Sequence, residues 1–305
     1  MIAVANNVAV LIIFAIIGWL LCKGGILNEQ NAKTLSVLEV WLFLPCKMFK
    51  SFSSNFTAEY ISEKYSLVIV SVILLAVIAF LTWLLVPKFV KDKKEQSICR
   101  YSLMMGNYGY VGYALAESVY GATALLDMMI FAIPVSLFVY TEGYRMLTGG
   151  EKISLKRIIN PVLMAIIPGI IFGLAKINVP DVFMNVINSA SACMSPVSMI
   201  LAGMLVSSFS LKELVSDVRV YIISVLRLVI IPASICFILS SFCSDAVVIS
   251  ALLVYSMPCG MNTVIFCNIA GNDSKLGVAL PFVSTVLALL TIPIMCKGVE
   301  IICSL

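Results

Sequence analysis

Residues 106–121 read GNYGYVGYALAESVYG, and residues 256–263 read SMPCGMNT. Both stretches sit inside apolar runs, and both make poor helix. Gly106, Gly109 and Gly112 recur every third residue around Asn107. Glycine weakens a helix interior, and asparagine competes for backbone partners. Pro258 lacks the N–H that the preceding turn needs, and Gly260 and Asn262 follow it closely. In lipid, irregular backbone survives only where it is buried in protein or lines a water-filled cavity. What surrounds the two stretches decides whether they are loops or interrupted membrane spans.

The surroundings are lipid-facing. Of 305 residues, 61% are hydrophobic and 12% charged, with a mean hydropathy of +1.08. A soluble domain is roughly half apolar and about a quarter charged, so lipid has to be the solvent for most of this surface. The chain opens MIAVANNVAVLIIFAIIGWLLCKGG, with Lys23 after the apolar run and no basic residue before it. That order predicts an uncleaved first span rather than a signal peptide. The net charge of +4 is small for the length and leaves no nucleic-acid footprint. With no histidine in the chain, zinc or haem sites built on histidine are excluded. No GxSxG or phosphate-loop motif is present, and Asp127 is the sole aspartate within a span, too few for a paired-aspartate protease. An enzyme is therefore not expected. Cys46, Cys99, Cys193, Cys236, Cys267 and Cys296 fall in apolar runs and read as packing residues. Cys243 and Cys303 are the one pair placed near an outer face for a bridge.

A helix needs about 20 apolar residues to cross the hydrocarbon core. Breaking the chain at its charged and Gly/Pro/Asn/Asp clusters predicts ten spans. They fall near 4–22, 34–53, 66–87, 100–118, 124–146, 158–176, 183–208, 219–241, 246–267 and 277–301. With the N-terminus outside, 14 of the 20 lysines and arginines fall on the cytoplasmic side and 4 outside, with Lys47 and Arg227 inside spans. Positive-inside bias thus places both termini outside. The halves 1–150 and 151–305 echo one another. Pro45-Cys46-Lys47-Met48 is answered by Pro196-Val197-Ser198-Met199, Ser51-Phe52-Ser53 by Ser208-Phe209-Ser210, and the Gly106 stretch by the Pro258 stretch. The echoes lie five spans apart. An odd offset inverts the second copy, so the fold class expected is all-α, with ten transmembrane helices in a 5+5 inverted repeat and broken helices four and nine crossing.

Paired interrupted spans at matched positions point to a transporter binding site near mid-depth. The half-helix N-termini offer unpaired N–H groups and a positive dipole end to an anion. The expected substrate-binding set is Asn107, Gly109, Gly112, Pro258, Gly260 and Asn262, with Lys47 as a fixed cation. The plainer alternative for Gly109 and Gly112 is a helix-packing face.

These same residues resemble a known family. Residues 107–112 look like the N-x-G-[aromatic]-x-G signature in the fourth helix of the auxin efflux carrier family. Residues 256–262 and 268–273 resemble its ninth helix and following loop, 281–293 its last helix, and Gly18-Trp19-Leu20-Leu21 with Leu44-Pro45 its opening pair. The resemblance implies a ten-helix inverted repeat with a scaffold and a transport domain, crossing at helices four and nine. It further implies a carboxylate substrate, such as the malate or malonate associated with bacterial members. Two departures stand out. Tyr113-Ala114 replaces the proline that family members carry soon after the second glycine, and the central link near 147–157 is short, unlike that of plant carriers.

Ionisable groups inside spans are costly and are functional candidates. Lys47 either attracts the carboxylate or snorkels to the outer interface. Arg227 and Glu39 lie at similar depth from one side, which suggests an intramembrane ion pair. Glu117, Asp127 and Glu142 read as interfacial, and Glu142 with Arg145 as an i,i+3 pair. No central acid stands out, so the coupling ion, proton or sodium, is left open. The reading is a secondary carrier of a small organic anion in the plasma membrane, with no cofactor or metal and with room for a homodimer. A channel or non-transporting receptor for the same ligands is the alternative.

Overall fold

A computed structural model describes residues 2–150, 161–207, 216–269 and 274–303. Among them the only regular structure is helical, apart from one isolated bridge between Gly106 and Cys259. Four helices are long and apolar enough to cross a membrane: Ser62–Phe89, Tyr113–Leu147, Val218–Leu239 and Lys275–Ile302. Shorter apolar helices include Ile13–Lys23, Met164–Leu174 and Asp245–Tyr255. Large apolar side chains such as Phe237 and Leu290 are about three-quarters exposed, at 75% and 70%. Faces of that kind require a nonaqueous solvent. The chain is a multi-pass integral membrane protein.

The chain folds as two compact units, each drawn from separated segments. The first comprises Met1–Tyr65, Tyr113–Met129 and Ile159–Phe209; the second comprises Ser66–Gly112, Ile130–Ile158 and Ser210–Leu305. In the first unit, Ile2–Lys23 packs along Asp181–Ser207. Two glycines let the backbones meet. A Cβ on Gly18 would fall 2.1 Å from the Ile200 carbonyl oxygen, and one on Gly203 would fall 1.8 Å from that of Ala15. Close glycine contacts of this sort replace the hydrophobic drive that lipid removes. Leu44–Asn55 packs against Pro161–Leu174 in the same manner, where a Cβ on Gly173 would meet the Phe52 and Phe56 carbonyl oxygens at 2.6 Å.

In the second unit, Asp245–Tyr255 is buried at every residue from 247 to 255, as expected of a helix apolar all round. It packs on Ile231–Leu239, while Val218–Val225 lies along Lys275–Ile302.

Five wide, π-helical turns interrupt the described helices: Glu39–Phe43, Tyr108–Gly112, Ala116–Tyr120, Val139–Gly143 and Leu226–Ile230. Leu44 N–H reaches back five residues to the Glu39 carbonyl, and Ile231 N–H to that of Leu226. Both turns are followed by a proline, Pro45 and Pro232, which has no N–H to give. Four of the five turns carry a charged residue: Glu39, Glu117, Glu142 and Arg227. Such turns cluster at functional sites.

Candidate functional site

Helix Lys93–Met104 starts on an Asp92 side-chain cap to Glu95 N–H at 2.9 Å. It stops at Met104, and helical structure resumes at Tyr108. Asp245–Tyr255 stops in the same way, and the chain resumes at Asn262–Ile269. Both interruptions fall on the glycine, proline and asparagine stretches read from the sequence. Within the second unit the two gaps lie side by side as a short antiparallel pair. Asn107 N–H donates to the Pro258 carbonyl at 2.7 Å, and Gly260 N–H to that of Met105 at 3.1 Å. Each break therefore satisfies backbone groups that the other exposes, which makes irregular chain tolerable there.

Arg227 closes the arrangement. The second unit buries it completely, and it donates only to main-chain carbonyls among the described residues. Nε reaches Met257 at 3.1 Å, Nη1 reaches Leu103 at 3.0 Å and Met104 at 3.2 Å, and Nη2 reaches Val254 at 2.8 Å. The guanidinium carbon lies 5.4 Å from the Tyr255 ring centroid, a cation–π distance. A guanidinium has five N–H donors, so four are used on the carbonyl ends of two half-helices. Those ends carry partial negative charge, which compensates the buried cation without a carboxylate.

Around this clamp, Asn262 Nδ2 donates to the Tyr101 hydroxyl at 2.8 Å. Ser284 Oγ accepts from Cys259 N–H at 2.9 Å, and the Thr263 hydroxyl donates to the Gly277 carbonyl at 2.7 Å. Asn107 is 9% exposed, and its side chain makes no hydrogen bond among the described residues. Gly109 and Gly112 lie on the Tyr108–Gly112 turn, and a Cβ on Gly109 would meet nothing within 4 Å. Open space there does not match the tight helix contact that a packing glycine makes. Asn107, Gly109, Gly112, Pro258, Gly260 and Asn262 thus share the second unit. The 270–273 part of the loop that follows lies outside the described residues, as do Ser208, Phe209 and Ser210. A separate cavity of about 370 Å³ in this unit is lined by Asp92, Lys93, Met146, Cys267 and Ser274 among others. It borders the start of Lys93–Met104 rather than the broken segments.

The charged groups depart from expectation in several places. Lys47 does not snorkel. It is 5% exposed and pairs with Glu117 in the first unit. Asp127 is buried within the first unit, accepting from Lys64 Nζ at 3.0 Å and from the Tyr60 hydroxyl. Arg227 and Glu39 lie in different units, and each finds its partners within its own. Glu39, expected as an ion-pair partner of Arg227, is instead a buried acid without a cation among the described residues. It has 0% exposure, with Oε1 accepting from the Ser198 hydroxyl at 2.6 Å. The Glu142–Arg145 pair forms as the spacing suggested, with two contacts of 2.8 Å. Cys243 and Cys303 are both free thiols, so the suggested bridge is absent. Sequence reasoning also missed the ties of Tyr101, Ser284 and Thr263. Arg227 stands out in the sequence as an arginine deep in a span.

The chain is similar to known membrane transport proteins. The sequence model of a family described as "Membrane transport protein" matches residues 3–154 and 150–296. An uncharacterized transporter of Methanocaldococcus jannaschii is 28% identical over 300 residues, covering 93% of this chain and 95% of its own length. Another, from Methanothermobacter thermautotrophicus, is 23% identical over 298 residues, covering 95% of this chain and 96% of its own.

Proposed function

This chain belongs to the membrane transport protein family, the auxin efflux carrier-like transporters, and on that premise we propose that it is a secondary carrier for a small organic anion. The family is one of transporters, not of enzymes. One observation carries the reading: two helices broken at corresponding points meet through the Gly106–Cys259 pairing and share one buried cation. Arg227 occupies the carbonyl ends of the first half-helices. The N-terminal ends of the second halves, with their positive dipole, are left for an anion. Asn107 and Asn262 stand beside those ends and supply amide donors to a carboxylate, with Gly109, Gly112, Pro258 and Gly260 shaping the backbone. Lys47, neutralised by Glu117, serves in this reading as a stabilising or relay charge rather than a bare anion trap.

Several features support ten spans in a 5+5 inverted repeat. In the first unit, span one packs on span seven and span two on span six. Exchanging the two halves maps one contact onto the other. The matched segments of the family also divide near residue 150. Each unit takes helices from both halves, the interleaving expected of scaffold and transport domains that rock by alternating access. The charge asymmetry of the loops favours both termini outside the plasma membrane.

The test is uptake of radiolabelled mono- and dicarboxylates into proteoliposomes. Flux should saturate, and Asn107→Ala and Asn262→Ala should each lower it at least about tenfold in folded protein, the loss of one buried hydrogen bond to a charged group. Normal saturable flux in both variants would remove the crossover site. Electrical conductance far above carrier turnover would replace the carrier by a channel.

A further inference from the structure

Glu39 opens the wide turn Glu39–Phe43 and is fully buried in the first unit. Its Oε1 accepts one hydrogen bond, from the Ser198 hydroxyl at 2.6 Å. Its Oε2 is buried and has no partner among the described residues. An ionised carboxylate has about four acceptor sites, so this environment serves it poorly. A charge buried without a counter-charge is among the costliest arrangements in a protein, and the usual resolution is neutralisation.

Among the described residues the surroundings supply no counter-ion. The turn packs on Pro161–Leu174, on Asp181–Ser207 and on its own flanking helices Glu29–Leu38 and Leu44–Asn55. Pro161–Leu174 contains no ionisable side chain. Asp181–Ser207 contains Asp181 in its first turn and Cys193, both exposed. On the flanking helices Lys33 is exposed, Cys46 and Lys50 are half-buried, and Lys47 is already paired with Glu117. Lys47 also lies eight residues on, about 12 Å along the helix.

We propose that Glu39 is a proton-binding site and that proton exchange there couples the carrier to a pH gradient. The coupling part rests on the carrier reading above; the proton site does not. Hydronium gives a proton to Oε2 and leaves as water while Oε1 keeps the hydrogen of Ser198, giving a neutral carboxyl in the conformation described. When water reaches the turn during the cycle, the O–H bond breaks, the proton leaves as hydronium and a carboxylate remains. Ser198 is then a positioning residue that fixes which oxygen is free.

The experiment has two arms. Infrared difference spectroscopy of reconstituted protein at neutral pH compares wild type with Glu39→Gln and Ser198→Ala. Expected is a protonated-carboxyl C=O band in wild type that shifts on deuterium exchange and vanishes in Glu39→Gln. In Ser198→Ala the band should persist at higher wavenumber, freed of its hydrogen bond. A wild-type spectrum lacking any such band, or one unchanged by Glu39→Gln, overturns the proton site. If Glu39→Gln does not fold, the wild-type band and its displacement in Ser198→Ala decide the matter alone. In the second arm, radiolabelled malonate serves as the probe in proteoliposomes with and without an inward proton gradient. Gradient-driven accumulation at least fivefold above the no-gradient level is expected in wild type and none in Glu39→Gln. Equal accumulation in both overturns the coupling. Wild-type protein that moves neither malonate nor any other carboxylate refutes the carrier reading separately, and the infrared arm still stands.

Discussion

Replacing Gly106 by alanine tests the Arg227 clamp directly. The backbone itself does not object, because Gly106 is not among the positive-φ glycines. Alanine at such a site would ordinarily be neutral or stabilising by about 0.4–1 kcal/mol through the unfolded chain. The side chain is the obstacle. The new Cβ would lie 2.1 Å from Arg227 Nη2 and 3.1 Å from the Met257 carbonyl oxygen. Ordinary contact needs roughly 3.5 Å, so the guanidinium must retreat by more than an ångström. Nη2 holds Val254 at 2.8 Å, and such a retreat puts that bond beyond useful length. The guanidinium is planar and rigid, so the bonds from Nε and Nη1 are disturbed with it. Hydrogen bonds from a charged group contribute about 1.5–3 kcal/mol each; losing two gives a cost of about 3–6 kcal/mol. Thermal unfolding of the detergent-purified protein measures this, with Gly109→Ala, whose Cβ meets nothing within 4 Å, as the neutral control. On an Arg227→Met background the Gly106→Ala cost should fall below about 1 kcal/mol, since contacting residues couple. Gly106→Ala within about 0.5 kcal/mol of wild type, or an equal cost with and without Arg227, would refute the reasoning.

Gly203→Ala should destabilise by about 1–3 kcal/mol, the range for forced overpacking, because its Cβ meets main-chain oxygen at 1.8 Å; an unchanged unfolding temperature counts against the close helix contact. Lys64→Met should cost about 3 kcal/mol by leaving Asp127 buried beside Tyr60 alone. Adding Asp127→Asn should recover part of that loss, and an additive double mutant would deny the pairing. At the edge of the second unit, hydrogen bonds from the Arg219 side chain and N–H hold the Asp217 carboxyl below its usual range. A depressed carboxyl stabilises the fold above its ordinary value, about 3.9, and that stability is lost as pH falls through the lower folded value. Stability measured between neutral pH and about pH 3 should therefore decline less steeply in Asp217→Asn than in wild type. A parallel decline contradicts the assignment.

The places where helix fails were the most legible part of this chain. Three glycines around Asn107 and a proline before Gly260 conflict locally with a lipid-facing helix, and such conflicts mark functional or strained sites. The structure breaks the chain at both. What ties the breaks together was hidden, because carbonyl partners leave no trace in side-chain identity. Arg227 looked like half of an ion pair with Glu39, since sequence reasoning matches charges to charges. Burial misled in the same way. Asp127 and Lys47 lie near apparent span ends, where an isolated helix would let them reach water, yet neighbouring helices cover them. Glu39 was noticed for its depth, but its isolation depends on which helices face it, and periodicity does not report that.

The segment order of the two units has a consequence for biogenesis. The first unit can close once residue 209 has left the ribosome, since its last segment is Ile159–Phe209. The second waits for the end of the chain, because its last segment is Ser210–Leu305. During synthesis at about 5–20 residues per second, Arg227 emerges from the ribosome ahead of Val254 and Met257, whose carbonyls receive its N–H groups. Only the Leu103 and Met104 carbonyls are then on hand. For those seconds the nascent protein carries an underserved cation in lipid. A chain truncated between residues 227 and 254 and released into the membrane should leave a species that cellular quality control recognises, whereas one truncated just past residue 209 should leave a better-tolerated one.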